Sequence, residues 1–245
     1  MKLAKGILGF LWKIYFLIIV LLTIIILYPL FFVLLQNEKY FQSGFKLIRW
    51  QAKVILFFAG IRKEVIGNIP NDTTTNYIIC PNHSSYLDIL LLYASFPNYF
   101  IFLGKKELGN VPLFNIYFKK MNILVDRKNP KSAHQSIAKA CEVMEKGSNL
   151  VIFPEGTIPK SVPQLKPFKN GAFRVALQLK MSIIPVTFKD NYRLLEDSWS
   201  LTASSRPGLS RVYIHEPIEV SKTDEWDLLT LREETKKRIA SKLDE

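Results

Sequence analysis

Tyr77-Ile78-Ile79-Cys80-Pro81-Asn82-His83-Ser84-Ser85-Tyr86-Leu87-Asp88 runs from a short apolar strand, through a polar turn, into a helix. The four residues 77–80 are apolar and too few for a helix, the pattern of a buried strand. Ser84 and Ser85 are helix-capping residue types, and residues 86–95 then read as helix. The same alternation continues outward in both directions. Residues 63–66 form an earlier strand, ended by Gly67-Asn68 and Pro70, with a polar loop at 71–75. Later strands are expected at 99–103, 123–125, 150–153, 183–188 and 211–215. Helices are expected at 113–120, 132–146, 170–179 and 226–243, with Ser132 as an N-cap and Gly147 as a stop. Residues 194–209 read as a long loop. Alternating strands and helices predict an α/β fold: a mixed, largely parallel sheet flanked by helices.

The first sixty residues have a different character. Residues 14–35 carry no charge over 22 positions, and a helix of that length reaches about 33 Å, enough to cross a bilayer core. The stretch is long for a signal peptide, and no small-residue cleavage site follows it. Residues 45–60 are apolar but interrupted by Lys46, Arg49 and Lys53, which share one helical face, with Trp50, Phe57 and Phe58 as aromatic bulk. Such a helix suits an anionic interface, or else packs on the domain with a solvated charged face. Joined at residues 36–43, the two segments are expected to form a membrane-associated hairpin over residues 1–60, ahead of a globular domain over 61–245. A hairpin keeps the N-terminus, with Lys2, Lys5 and Lys13, on the cytoplasmic side together with the domain. A single span would separate them.

The chain has 245 residues and a net charge of +12, which fits nucleic acid, an anionic membrane or a phosphate-bearing substrate. Zinc-finger spacing and RNA-binding signatures are absent, so nucleic acid is not expected as a partner. Cys80 and Cys141 show no disulfide framework and read as reduced core residues. His83, His134 and His215 are widely separated and lack the spacing of metal ligands.

His83 lies five residues before Asp88, at a strand-to-helix junction where α/β sheets gather their sites. A carboxylate on the first helical turn can hold one imidazole nitrogen, leaving the other to take a proton from a hydroxyl. This is the base-and-orienter half of a catalytic triad, with no protein nucleophile required. A plainer reading makes Ser84 and Ser85 caps and Asp88 a charge at the positive end of the helix dipole. The run Phe153-Pro154-Glu155-Gly156-Thr157 ends another strand in a turn, where Gly156 permits close backbone approach and amides can face an oxyanion. Lys160, Lys166 and Lys169 follow it and give a positive field. Lys105 lies between the two runs and Arg127 closes a strand there, and an arginine fork suits phosphate. The Gly-x-Ser-x-Gly elbow is absent, so an acyl-serine is not expected.

Taken together, these runs resemble the 1-acylglycerol-3-phosphate O-acyltransferases, or lysophosphatidic acid acyltransferases. Asn82-His83-x-Ser85-x-x-Asp88 is similar to the family's His-x4-Asp motif. The stretch from Lys105 through Pro112 to Asp126-Arg127 resembles its second motif, Phe153-Pro154-Glu155-Gly156-Thr157 its third, and Ile184-Pro185-Val186 its fourth. The resemblance implies His83 and Asp88 as catalytic residues. It implies substrate contacts from Asn82, Ser85, Lys105, Arg127, Glu155, Gly156, Thr157 and Lys160. It further implies an enzyme without cofactor or metal, using acyl-CoA or acyl carrier protein as co-substrate. Lysophosphatidic acid is then the acceptor and phosphatidic acid the product, within phospholipid biosynthesis, at the cytoplasmic face of the inner (plasma) membrane. The chain departs from the pattern at Ile158, where many members carry an arginine. Two alternatives stand beside this reading: an acyltransferase for another lyso-lipid, and a non-catalytic basic membrane-binding module.

Overall fold

The computed structural model describes residues 2–70, 75–126, 128–198, 205–221 and 226–243. Within them the strands are β1 (Ile61–Ile66), β2 (Ile78–Pro81), β3 (Phe100–Lys105), β4 (Ile123–Val125), β5 (Asn149–Val151), β6 (Ile183–Phe188) and β7 (Gly208–Ile214). They form one sheet in the order β1-β7-β6-β2-β5-β3-β4. Every pairing is parallel except that of β6 with β7. The helices are α1 (Lys2–Leu34), α2 (Phe41–Phe58), α3 (Leu87–Ser95), α4 (Asn115–Lys119), α5 (Pro130–Glu145), α6 (Gly171–Leu179), α7 (Asn191–Leu194) and α8 (Leu228–Ala240).

Each parallel strand sends alternate side chains to opposite faces. Along β2, Ile78 and Cys80 face one core while Ile79 faces the other. The Ile79 side packs under α1, α2 and α3, with Phe45, Leu91, Phe100 and Val186 buried there. The Ile78 side packs under α5, α6 and α8, with Met144, Leu150 and Phe173 buried. Cys80 and Cys141 are free and buried within this second core.

Two local expectations need correction. The α5 cap is Asn129, whose Oδ1 accepts from the amides of Lys131 at 3.0 Å and Ser132 at 3.3 Å. Pro130 takes the first helical position, where its missing N–H costs nothing. Ser132 Oγ instead accepts from the Asp126 amide at 3.2 Å. The loop expected at 194–209 is trimmed at both ends, because α7 ends at Leu194 and β7 opens at Gly208, in register with Ile61. Residues 71–74, within the expected polar loop, and 199–204 lie outside the described residues.

α1 and α2 lie antiparallel. Trp12 Nε1 donates to the Ala59 carbonyl at 3.3 Å, and Gln51 Nε2 donates to Thr23 Oγ1 at 3.2 Å. Near the connection, Gly44 leaves room for Leu35, whose Cδ2 sits 2.7 Å from where a Cβ would be. Both helices are fastened to the domain. Phe45 meets the rings of Tyr99 and Phe100 edge-on, at 5.2 and 4.8 Å. Phe31 meets Tyr117 at 4.9 Å. Near the start of α1, Lys13 is buried and donates to the carbonyls of Glu196 at 2.6 Å and Ser198 at 2.5 Å. The opposite face of α1 exposes Leu8, Leu22, Ile26, Phe32 and Val33. By length and composition, residues 4–34 of this helix are sufficient to cross a membrane. On α2, Lys46 and Lys53 face solvent with Trp50, Phe57 and Phe58. Arg49 does not join them fully: it is half-buried, and its Nε donates to the Tyr93 carbonyl at 3.2 Å.

Phe45 is 2% exposed and joins α2 to the sheet. Replacing it with alanine should cost about 3–5 kcal/mol, as other core aromatic truncations do. Denaturation of the detergent-solubilised protein measures this. A cost below about 1 kcal/mol would mean that the hairpin does not depend on this contact.

Candidate active site

The carboxyl ends of β2, β3, β5 and β6 share one edge of the sheet, and the turns that follow them converge there. After β2, Asn82 turns inward. Its Oδ1 accepts from the Phe188 amide at 2.7 Å, and its Nδ2 donates to the Phe188 carbonyl at 3.2 Å. This two-point clamp ties the turn to the end of β6. His83 follows, 15% exposed at its side chain, with Nδ1 2.9 Å from Asp88 Oδ2.

Asp88 sits in the first turn of α3 and is fully buried. Its Oδ2 also accepts from the amides of Ser84 at 2.7 Å and Ser85 at 3.0 Å. Its Oδ1 accepts from Asn191 Nδ2 at 2.6 Å and from the Ser84 hydroxyl at 3.4 Å. A carboxylate so surrounded by donors acts as an acceptor, so the His83 proton resides on Nδ1 and Nε2 offers its lone pair. The imidazole stacks on Phe153, centroids 4.1 Å apart, which restricts its rotation. The pair is therefore arranged for a base on a partly exposed imidazole.

Glu155 braces the same turn from the loop after β5. It is 3% exposed. Its Oε1 accepts from the His83 amide at 2.8 Å and its Oε2 from the Lys166 amide at 2.9 Å. Burial pushes its carboxyl pKa above the usual carboxylate range, against the pull of those two amides. Gly156 adopts φ of +77°, and a Cβ there would lie 3.0 Å from Lys169 Cε and Nζ.

The expected substrate contacts divide in this geometry. The side-chain polar atoms of Asn82 and Glu155 are committed to backbone partners, so both hold the site's shape. Ser85 is fully buried, donating to the Leu195 carbonyl at 2.7 Å and accepting from the Leu87 amide at 3.1 Å. The Gly156 amide, expected to face an oxyanion, donates instead to the Phe153 carbonyl at 3.0 Å, closing the turn. Thr157 and Lys160 are exposed on the loop beyond it. Thr157 Oγ1 accepts from Lys166 Nζ at 2.9 Å. Lys105 ends β3 at the same sheet edge, exposed and paired with Glu107 at 3.4 Å. Arg127 lies outside the described residues.

Sequence reasoning missed three participants. Asn191 opens the single-turn helix α7, and its Oδ1 accepts from the Ser210 hydroxyl at 2.6 Å. It is 103 residues from Asp88, too far for a local pattern to connect them. Phe153 stands inside a recognised run, but its ring contact with His83 depends on the pairing of β2 with β5. Lys13 reads as a charge flanking an apolar helix, yet its carbonyl partners adjoin Leu195, the partner of Ser85.

The sequence pattern of the acyltransferase family matches residues 61–189. The chain is 32% identical over 205 residues to the 1-acyl-sn-glycerol-3-phosphate acyltransferase of Borreliella burgdorferi, covering 82% of this chain and 79% of that one. It is 31% identical over 197 residues to a chloroplastic 1-acyl-sn-glycerol-3-phosphate acyltransferase of Arabidopsis thaliana, covering 80% of this chain but 52% of the plant protein. The chain thus spans about half the length of that plant relative. The crystal structure of the 1-acyl-sn-glycerophosphate (LPA) acyltransferase PlsC from Thermotoga maritima superimposes with a TM-score of 0.81. That match is 23% identical and covers 98% of this chain and 96% of the other, a likeness of fold.

Glu155→Gln retains shape but turns one of two acceptors into a donor facing a backbone N–H. The variant should lose about 1–3 kcal/mol of stability, the cost of an unsatisfied buried group. An unchanged melting temperature would contradict the bracing role.

Proposed function

The chain belongs to the acyltransferase family, and on that premise we propose that it moves an acyl group from a thioester to the 2-hydroxyl of 1-acylglycerol-3-phosphate, giving phosphatidic acid. The carrying observation is the 2.9 Å contact between His83 Nδ1 and the buried Asp88 carboxylate, with the ring held on Phe153. His83 Nε2 takes the hydroxyl proton as the oxygen attacks the thioester carbonyl. The new C–O bond forms, and the tetrahedral intermediate then expels the thiolate as the C–S bond breaks. The imidazolium, stabilised by Asp88, returns its proton to the sulfur. Ser84 and Ser85 are buried and bonded within the turn, which favours direct attack over an acyl-serine.

The acceptor phosphate requires cations. Ile158 supplies none, so Lys105, Lys160, Lys166 and Arg127 carry that role, with Thr157 orienting Lys166. The same position favours a second reading, in which the acceptor is another lyso-lipid.

Residues 1–60 act as the membrane anchor and residues 61–245 as the catalytic domain. α1 turns its apolar face away from the domain, while α2 offers Lys46 and Lys53 beside exposed aromatic rings. Lys63 on β1 adds to this field: burial lowers its ammonium pKa, and repulsion from Lys53 and Arg49 lowers it further. Such a surface fits an anionic interface. Because α1 and α2 are antiparallel, the N-terminus and the domain lie on one side of the membrane, the cytoplasmic side in this reading. Either acyl-CoA or acyl carrier protein serves as donor.

His83→Ala and Asp88→Ala should each lower turnover about 10²- to 10⁴-fold while the protein stays folded and membrane-bound. Assays with labelled acyl donor and lysophosphatidic acid measure this. Near wild-type turnover in the histidine variant would end the mechanism, and no transfer by the wild type to any lyso-lipid would favour the non-catalytic module.

Exchanging Lys46 and Lys53 together for glutamine should weaken binding to anionic vesicles several-fold at low salt and much less at high salt. A salt-independent loss in a flotation assay would assign these lysines a structural role instead.

A further inference from the structure

A cleft of about 300 Å3 opens at the carboxyl ends of β3, β4 and β5, against α5 and α6. Its floor is apolar, formed by Leu103, Val125, Ile152 and Phe153, and Lys169 and Arg174 stand on its rim. No carboxylate occurs among its described lining residues. Phe153 belongs to two places at once: one side of its ring stacks on His83, and the residue also lines the cleft. The cleft therefore begins at the catalytic base.

It also lies away from the membrane helices. α1, α2 and α3 pack on one core, α5 and α6 on the other. If the lipid acceptor comes from the α1–α2 side, the cleft on the other side is left to a water-soluble ligand. An anion at one end, a largely apolar arm and a reacting group delivered beside His83 are what the lining selects.

We propose that this cleft binds the phosphopantetheine arm of the acyl donor, with Lys169 and Arg174 on its phosphate and the thioester laid past Phe153 toward His83. The inference rests on the acyl-transfer reading above. Phosphopantetheine is common to coenzyme A and to acyl carrier protein, so the cleft serves either carrier. In the reading above the acceptor phosphate falls to other residues, Lys105, Arg127, Lys160 and Lys166. Both rim residues are exposed, so their exchange leaves the core intact.

The test compares full-length wild type with the Lys169→Gln/Arg174→Gln double variant in lipid nanodiscs. With S-acyl phosphopantetheine as donor, the variant should raise donor KM about tenfold or more, the loss expected for charge-assisted contacts to a phosphate. With S-acyl pantetheine, which lacks the phosphate, the two proteins should behave alike, and acceptor KM should not move. Acyl-CoA and acyl carrier protein thioesters then show which carrier suffers the same loss. A rise in acceptor KM, or a preference for the phosphorylated donor that survives in the variant, overturns the assignment. Calorimetric titration with free phosphopantetheine decides the cleft independently of turnover. Binding that the variant weakens supports it, and binding that the variant leaves unchanged, or no binding by wild type, overturns it. If wild type binds this probe yet transfers nothing to lysophosphatidic acid, the acyl-transfer reading fails while the cleft assignment holds.

Discussion

The arrangement depends on a buried negative charge. A carboxylate out of water is costly unless donors surround it. Asp88 has no exposed surface and is met by five donors, from His83, Ser84 twice, Ser85 and Asn191. Those donors come from the β2–α3 turn and from α7, so satisfying the charge closes the turn and docks α7 against it. The imidazole is one donor in this set. Its tautomer and direction are thus consequences of folding, and in the proposed mechanism the base is oriented before substrate arrives.

A second buried carboxylate performs the complementary task. Glu155 accepts from the amides of His83 and Lys166, so the turn after β2 and the loop after β5 are held at a fixed separation. This explains a glutamate in a place where the sequence pattern alone points to substrate contact. It also sets Lys166 beside Thr157, on the exposed rim that the phosphate reading needs. Charge balance in the interior and charge supply at the surface are therefore achieved by neighbouring residues of one loop.

How much of this was readable in advance follows the range of each interaction. Ile123–Val125 and Ile183–Phe188 are apolar runs with clear ends, and their strands begin and finish where the sequence places them. The His83–Asp88 pair was readable because a strand–turn–helix brings positions five apart together. The Asn129-Pro130 cap was misplaced to Ser132, since both are capping types and only the helix axis decides between them. The start of β7 was missed because Gly208-Leu209-Ser210 becomes strand through its pairing with β1, about 150 residues earlier. The clamp that Asn82 makes and the bond from Asn191 to Asp88 carried no local signal. Their partners, Phe188 and Asp88, are 106 and 103 residues away.

The N-terminal hairpin gains a further meaning from Lys13. An ammonium group inside an apolar helix is expected to reach for the interface or to find acceptors in protein. Lys13 finds two carbonyls, on Glu196 and Ser198, just beyond Leu195, whose own carbonyl receives the Ser85 hydroxyl. A continuous line of hydrogen bonds and adjacent backbone thus runs from the apolar helix to the turn bearing His83. If α1 lies in the lipid surface, this line sets the height of the imidazole above it. On the proposed reading, an anchoring hairpin would do more than raise local concentration: it would define the plane in which acceptor and base meet.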